Sequence, residues 1–351
     1  MSLDAVNKTM NGTQPWSCKQ IYDAAATKIG VTFVYCLIFV VSLAGNTFIA
    51  MVVFKTNTMR KPINVLIANM AMSDLLFPIC LFPRIVTRLY VDSWLVSGRL
   101  GEALCKLLTF LTDVSGAVSI QSLVLIAVDR FQAVVFPLRS PLISSKRCPF
   151  FILATWMVGI ATSTAYLFAY KLVKNQGRLV CELRWKEAFG ESSSFANYIL
   201  PMTFVFFYIP LLVIAILYRL IYLKLKTQVI PGEQTAIAIQ QRLTRERTVL
   251  KIAIAIVLGF ALCWLPYSFA STVLFVFGGT QQCGFVYFTF VAAVIAHSNC
   301  AINPSICFIF SQNYRQGLKN FLTRSWALQC KDRKKENNQL KLVKLNMSAI
   351  G

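Results

Sequence analysis

Asp74, Asp113 and His297 are the groups able to titrate within long apolar runs, apart from Arg84 and Arg88 near one end of the second run. An ionisable side chain in such a setting is expensive and points to function. On the last run Asn299 and Asn303 are four residues apart, share a helix face, and are followed by Pro304. Ser119 lies at a similar depth on the third run. A carboxylate with convergent amide and hydroxyl groups suits water or a small cation; the same set also makes a polar network that glues helices together. The 11 cysteines include no CxxC pair, and the single His leaves no zinc-ligand spacing. No catalytic constellation is present in the reading, and no enzyme is expected.

The elements that must position these groups follow from composition. Charged residues make up 14% of the chain and hydrophobic ones 56%, so a soluble protein of this kind could not cover its surface. The net charge of +21 would suggest nucleic acid, but 27 Phe in so apolar a chain suggest lipid instead. Runs near 29–54, 63–88, 105–128, 149–170, 197–219, 252–277 and 284–310 each contain enough apolar sequence to cross a bilayer. Alternating strands of barrel type are absent. The expected fold is an all-α integral membrane bundle of seven transmembrane helices over 29–310.

Loop charge orients it. Lys55, Arg60 and Lys61 in one connection and Arg139, Lys146 and Arg147 in another have no acid beside them, and the 220–251 linker and the tail after 311 are also basic. The positive-inside rule then puts residues 1–28 outside and the basic tail, 327–351, in the cytoplasm of a plasma-membrane protein. Sequons at Asn7 and Asn11 fall on the outside and predict glycosylation.

The third run has a long reach: Cys105 to Arg130 spans about 37 Å at ~1.5 Å per residue, more than the ~30 Å hydrocarbon core. It places Cys105 outside and Asp129-Arg130 inside. Cys181 lies in the outer connection between runs four and five, an oxidising compartment, so a Cys105–Cys181 disulfide is expected. At the inner end Glu246 begins the sixth run, where pairing with Arg130 would clamp the bundle shut.

Ordered motifs accompany these features: Gly45-Asn46; Asn69-Met-Ala-Met-Ser-Asp74-Leu75; Asp129-Arg130-Phe131 followed by Pro137-Leu138; Trp156; Pro210 with Tyr218; Phe260-Ala-Leu-Cys-Trp264-Leu-Pro266; and Asn303-Pro304. One set per run, in this order over roughly 30–326, resembles the rhodopsin-like (class A) G-protein-coupled receptors. The resemblance implies a sodium pocket at Asp74, Ser119, Asn299 and Asn303, a packing switch at Ile120, Pro210 and Phe260, and Trp264 beneath the ligand. It further implies coupling to a heterotrimeric G protein through Asp129, Arg130 and Leu138, with Tyr218, Glu246 and Pro304 taking part in activation. Three departures stand out: Phe131 and Cys307 where the family has Tyr, and a longer stretch from Trp94 to Cys105.

The family's opsins need a Lys at the position of His297, and its amine receptors an Asp at Thr112; neither is present. A peptide ligand fits better, given the charged and aromatic 171–196 connection, and the pattern resembles neuropeptide receptors of the RFamide, neuropeptide Y, galanin and tachykinin kind. The ligand pocket is expected to draw on Arg84, Thr112, Asp113, Trp264, Tyr267 and His297. For His297 a structural hydrogen bond competes with ligand contact, for Asp113 an interhelical bond, and for Arg84 and Arg88 snorkelling to headgroups. A second outer disulfide is expected between Cys18 and Cys283, as in some peptide and chemokine receptors.

Residues 311–326 alternate basic and apolar groups at helical spacing, the pattern of an amphipathic eighth helix on an anionic leaflet. Cys330 beyond it is a candidate for palmitoylation. The tail 331–351 has Ser348 as its only hydroxyl, so arrestin docking through it should be weak. Two rivals remain: a same-family receptor for a lipid or small molecule, and a transporter, which would need repeats or broken helices around a midplane site.

Overall fold

The computed structural model describes residues 25–91, 93–175, 177–226, 236–277, 283–321 and 323, with the backbone alone at Arg88 and over 236–246. Seven of its helices are long and apolar enough to cross a membrane. They are α1 (Ala25–Lys55), α2 (Pro62–Tyr90), α3 (Gly98–Val135), α4 (Cys148–Ala169), α5 (Phe195–Lys226), α6 (Ala236–Val276) and α7 (Cys283–Phe310). An eighth, α8, covers 312–321. Helices are the outcome because every backbone N–H and C=O in hydrocarbon must find its partner within the segment. Pro near the first turn opens α2 and α4, and Lys55, Lys224 and Lys226 close α1 and α5 against the negative end of the helix dipole.

The seven expected spans are all present, and α3, α5 and α6 extend well beyond the expected bounds at one end or both. α3 begins at Gly98, a full two turns before Cys105, because Gly98 takes φ +69° and turns the chain into the helix. The 171–196 connection is not an irregular loop. It opens with an antiparallel hairpin, β1 (Tyr170–Asn175) and β2 (Arg178–Leu183), in which Leu172 pairs with Cys181. A one-turn helix, Trp185–Phe189, follows. Cys181 is disulfide-bonded to Cys105 of α3, with Cα atoms 5.6 Å apart. The Trp94 N–H donates to the Leu179 carbonyl at 2.6 Å, tying the stretch between α2 and α3 to the same hairpin.

At the opposite end the core is dense. Val53, Leu66, Leu123, Ile126 and Ile256 are fully buried in one apolar cluster that also takes in Cys307 and Tyr314. α8 lies across the end of α1: a Cβ on Gly317 would stand 2.7 Å from Val52 Cγ1, and Phe321 packs on Phe48 at 5.7 Å between ring centroids. The Arg315 guanidinium donates to the Ile309 and Phe308 carbonyls, which have no partner inside α7. α1 and α7 meet at Gly45, where a Cβ would lie 2.6 Å from Pro304 Cβ.

Two outcomes follow from this packing. Gly45→Ala drives a methyl into the rigid Pro304 ring and should cost about 1–3 kcal/mol; a lowered thermal-inactivation midpoint of the detergent-solubilised protein checks it, and an unchanged midpoint would mean the α1–α7 contact relaxes freely. Cys181→Ser opens a loop of sequence separation 76, and by loop-closure entropy it should cost about 2–4 kcal/mol. Reduced surface expression, with faster proteolysis within 170–183, is the expected result.

Candidate functional site

A cavity of about 1390 Å³ opens at the hairpin end of the bundle. Its walls come from α2 to α7 and its roof from β2 and the residues after it, so the Cys105–Cys181 bond fixes the roof against α3. All six residues expected in a ligand pocket line it: Arg84, Thr112, Asp113, Trp264, Tyr267 and His297. Among the described residues, the Arg84 guanidinium has no carboxylate in salt-bridge range and stands 6.0 Å from the Tyr170 ring centroid. Thr112 spends its hydroxyl on the Leu108 carbonyl at 2.6 Å, leaving a methyl-faced wall.

Asp113 and His297 each line the cavity and each make an interhelical hydrogen bond. Asp113 faces the cavity and also accepts from Ser163 Oγ of α4 at 2.8 Å. His297 faces the cavity while its Nδ1 is 2.7 Å from the Tyr35 hydroxyl of α1. Its ring sits 5.4 Å from Phe77, which in turn meets Trp264 edge-on at 6.2 Å. Ile120, Phe260 and Trp264 line the floor, and the first two are also in the buried core. Anything filling the cavity to its base therefore touches the packing that holds α3 to α6.

Below that floor lies a polar knot. Asp74 of α2, buried, accepts from Ser119 Oγ of α3 at 2.7 Å and from Asn303 Nδ2 of α7 at 2.8 Å. Asn299, about one helical turn before Asn303 on α7, is also buried, and its Oδ1 and that of Asn303 have no hydrogen-bond partner. Two orphaned amide oxygens beside a carboxylate form an all-oxygen donor set, which fits a small hard cation such as sodium better than any transition metal. On either side of the knot, Asn46 bonds the Cys300 carbonyl at 2.9 Å, and Asn69 receives Trp156 Nε1 at 2.9 Å while donating to Ser122.

At the far end Arg130 is held by its neighbour Asp129, with Nη2 at 2.5 Å and Nε at 3.1 Å from Oδ2. Tyr218 packs beside this pair with its hydroxyl buried and unpartnered. Leu138 is 100% exposed, a bare apolar side chain next to the Arg130 end. Pro210 and Pro266 lie inside α5 and α6, and a π-helical turn over Phe204–Tyr208 precedes Pro210. That wide turn takes up the hydrogen bond Pro210 cannot make. Asn7, Asn11, Cys18, Cys330 and the side chains of Glu246 and Arg88 lie outside the described residues. Cys283 is disulfide-bonded.

Sequence reasoning placed Trp185 in the lid over the cavity, where it lies, but did not reach Tyr35, Ser163, Tyr166 or Tyr198, each of which supports the cavity. Hydroxyls and rings inside apolar helices carry no distinguishing spacing, so only the packing reveals them. The hairpin did have a signal: two Val- and Leu-bearing runs flank Asn175-Gln-Gly177, and Gly177 takes φ +83°.

Comparison with known proteins agrees with this architecture. Residues 45–306 match the family of seven-transmembrane receptors of the rhodopsin type. A QRFP-like peptide receptor of Branchiostoma floridae is 31% identical over 82% of this chain and 75% of its own length. The somatostatin receptor type 5 of Bos taurus is 30% identical over 85% and 77%, and the growth hormone secretagogue receptor type 1 of Sus scrofa is 29% identical over 82% and 78%. With seven spans, their motifs in order and a family match over most of its length, the chain belongs to the rhodopsin family of seven-transmembrane receptors.

Proposed function

We propose that this receptor binds an extracellular peptide at the hairpin end and couples to a heterotrimeric G protein at the Arg130 end. The observation that carries the reading is the cavity: wide, roofed by a tethered and charged hairpin, and floored by the packing between α3 and α6. A peptide needs such width, with polar groups at several heights; a lipid needs an apolar mouth, which the charged residues of the hairpin and its following helix do not offer. The relatives, a peptide receptor and receptors for somatostatin and a growth hormone secretagogue, support the same class.

In this reading the N-terminus with Asn7 and Asn11 is outside, Cys18 joins Cys283 there, and the basic 327–351 tail is inside at the plasma membrane. The ligand works by differential affinity: it favours the arrangement of Ile120, Phe260 and Trp264 in which α6 has swung at Pro266. That swing draws Glu246 from Arg130 and opens a cleft for the G protein, with Leu138 as an apolar contact. Asp74, Ser119, Asn299 and Asn303 would hold sodium, whose positive charge would favour the closed bundle. α8 rests on anionic lipid, helped by acylation of Cys330, and a tail poor in hydroxyls makes arrestin a weak partner.

Cells carrying the chain with a promiscuous G protein, screened by calcium release against short amidated and free-acid neuropeptides, test the reading. A response to one peptide series that disappears in Arg130→Ala at equal surface expression is expected. Silence across all peptides would transfer the assignment to a lipid or small-molecule ligand. Replacing choline by sodium should then lower agonist affinity by about fivefold or more in the parent, as is usual for coupled sites. In Asp74→Asn the sodium effect should vanish; its persistence would remove the ion from the polar knot.

A further inference from the structure

A glycine inside a transmembrane helix is usually there because a neighbouring helix leaves no room for a side chain. Three glycines of this bundle fit that account. A Cβ on Gly45 would stand 2.6 Å from Pro304, one on Gly159 3.3 Å from Val118, and one on Gly259 3.2 Å from Ile302. Gly116, midway along α3, does not fit it: beyond the backbone of its own helix, a Cβ built there meets nothing within 4 Å. Gly30 and Gly284 are equally open, but they lie near the N-terminal ends of α1 and α7 and line no part of the cavity. Gly116 does line it. Glycine weakens a helix interior relative to alanine, and no packing contact explains its presence here.

The space lies deep in the cavity. Thr112, Gly116 and Ile120 follow one another along the cavity face of α3 at four-residue spacing, with Ala117 beside Gly116. The α3 wall therefore recedes about one turn inward of Asp113 and one turn before Ile120. Beside this recess the base is one continuous aromatic surface: Phe207 lies 6.1 Å from Phe260, and Phe260 lies 6.1 Å from Trp264, centroid to centroid. These rings touch one another and leave no slot between them; the open volume is over Gly116. Ile120 belongs to the same apolar cluster as the three rings. Inward of Asp113, α3, α5 and α6 present no charged side chain to the cavity. A charged group placed there would lose its water without gaining a counter-charge, whereas an aromatic side chain would bury about 150–250 Å².

We propose that the recess over Gly116 is a subsite for a bulky apolar side chain of the ligand, best an aromatic ring, and that Gly116 selects the ligand by size. The proposal rests on the peptide reading and narrows it: the peptide carries an aromatic residue that enters between α3, α5 and α6. A ring suits the recess better than an aliphatic chain, since it can meet the Phe207–Phe260–Trp264 surface edge-on or offset.

The test uses the purified full chain in nanodiscs, with empty nanodiscs as the blank. Binding of N-acetyl-tryptophan amide and of N-acetyl-alanine amide is followed by ligand-observed saturation-transfer NMR. The tryptophan probe should bind and the alanine probe should not. Substitution of Gly116 by Ala, Val and Leu fills the recess from the α3 side in steps. Loss of the tryptophan probe should grade with side-chain size, reaching about tenfold or more in Gly116→Leu. Gly116→Ala should leave the thermal midpoint unchanged or raise it, because its methyl meets no neighbour and alanine is the better helix former. A lowered midpoint in Gly116→Ala would show the space to be closed and overturn the subsite. Equal binding of the two probes, or tryptophan binding unmoved by Gly116→Leu, would do the same. If the tryptophan probe behaves as expected while the peptide screen stays silent, the subsite stands and the peptide reading fails. A peptide series whose potency ignores Gly116→Leu would leave the peptide reading standing and remove the subsite.

Discussion

The register of this bundle depends on the Asp74 knot, because among the described residues Asp74 is the one carboxylate that is fully buried. A carboxylate deep in an apolar bundle must have donors, and those available come from α3 and α7. That requirement fixes the rotation of three helices at once: Asp74 must face Ser119, and the Asn299–Asn303 face must look back at it. Asn46 then ties α1 to the Cys300 carbonyl, and Asn69 ties α2 to α3 and α4. Apolar packing alone would set no such register, since lipid tails are as good a neighbour for Leu or Phe as another helix is.

The cavity and the far end are consequences of where that register stops. Above the knot, helices held at mid-depth diverge, and the gap is closed by a β-hairpin that no membrane segment could form unaided. It is stable there because its backbone groups pair with each other and with Trp94, and because Cys181 is bonded to α3. At the level of the knot itself α1 and α7 close on each other at Gly45 and Pro304. Signals between the ends therefore have to pass through a rigid middle. The floor residues Ile120 and Phe260 are the point where ligand-accessible surface and buried core are the same atoms.

The seven spans, the disulfide and the polar knot were all legible in the sequence, since each follows from a requirement that residue type alone expresses. Hydrocarbon needs about 20 apolar residues, a buried acid needs donors, and a Cys at the outer end of a long helix needs a partner. The pairing of Tyr166 with Tyr198 beside the cavity was not legible. They belong to two different helices, and rings are common in membrane helices for reasons of packing alone. The donor to Asp113 was equally hidden, because Ser163 sits one helix away in a run with no periodicity to mark an inward face.

Cys307 shows how a departure from family pattern can be absorbed. A thiol leaves less volume and no strong donor where the family has a phenol, yet Cys307 is fully buried in the main core with Tyr314. Tyr314 brings an aromatic ring from α8 into that cluster, stacked edge-on with Phe308 at 6.5 Å, so the space is filled from below rather than from α7. The Tyr314 and Tyr218 hydroxyls are both buried without a hydrogen-bond partner. A buried orphan hydroxyl costs about 1–3 kcal/mol. Cys307 can offer neither of them a strong bond, since a thiol is both a weak donor and a weak acceptor.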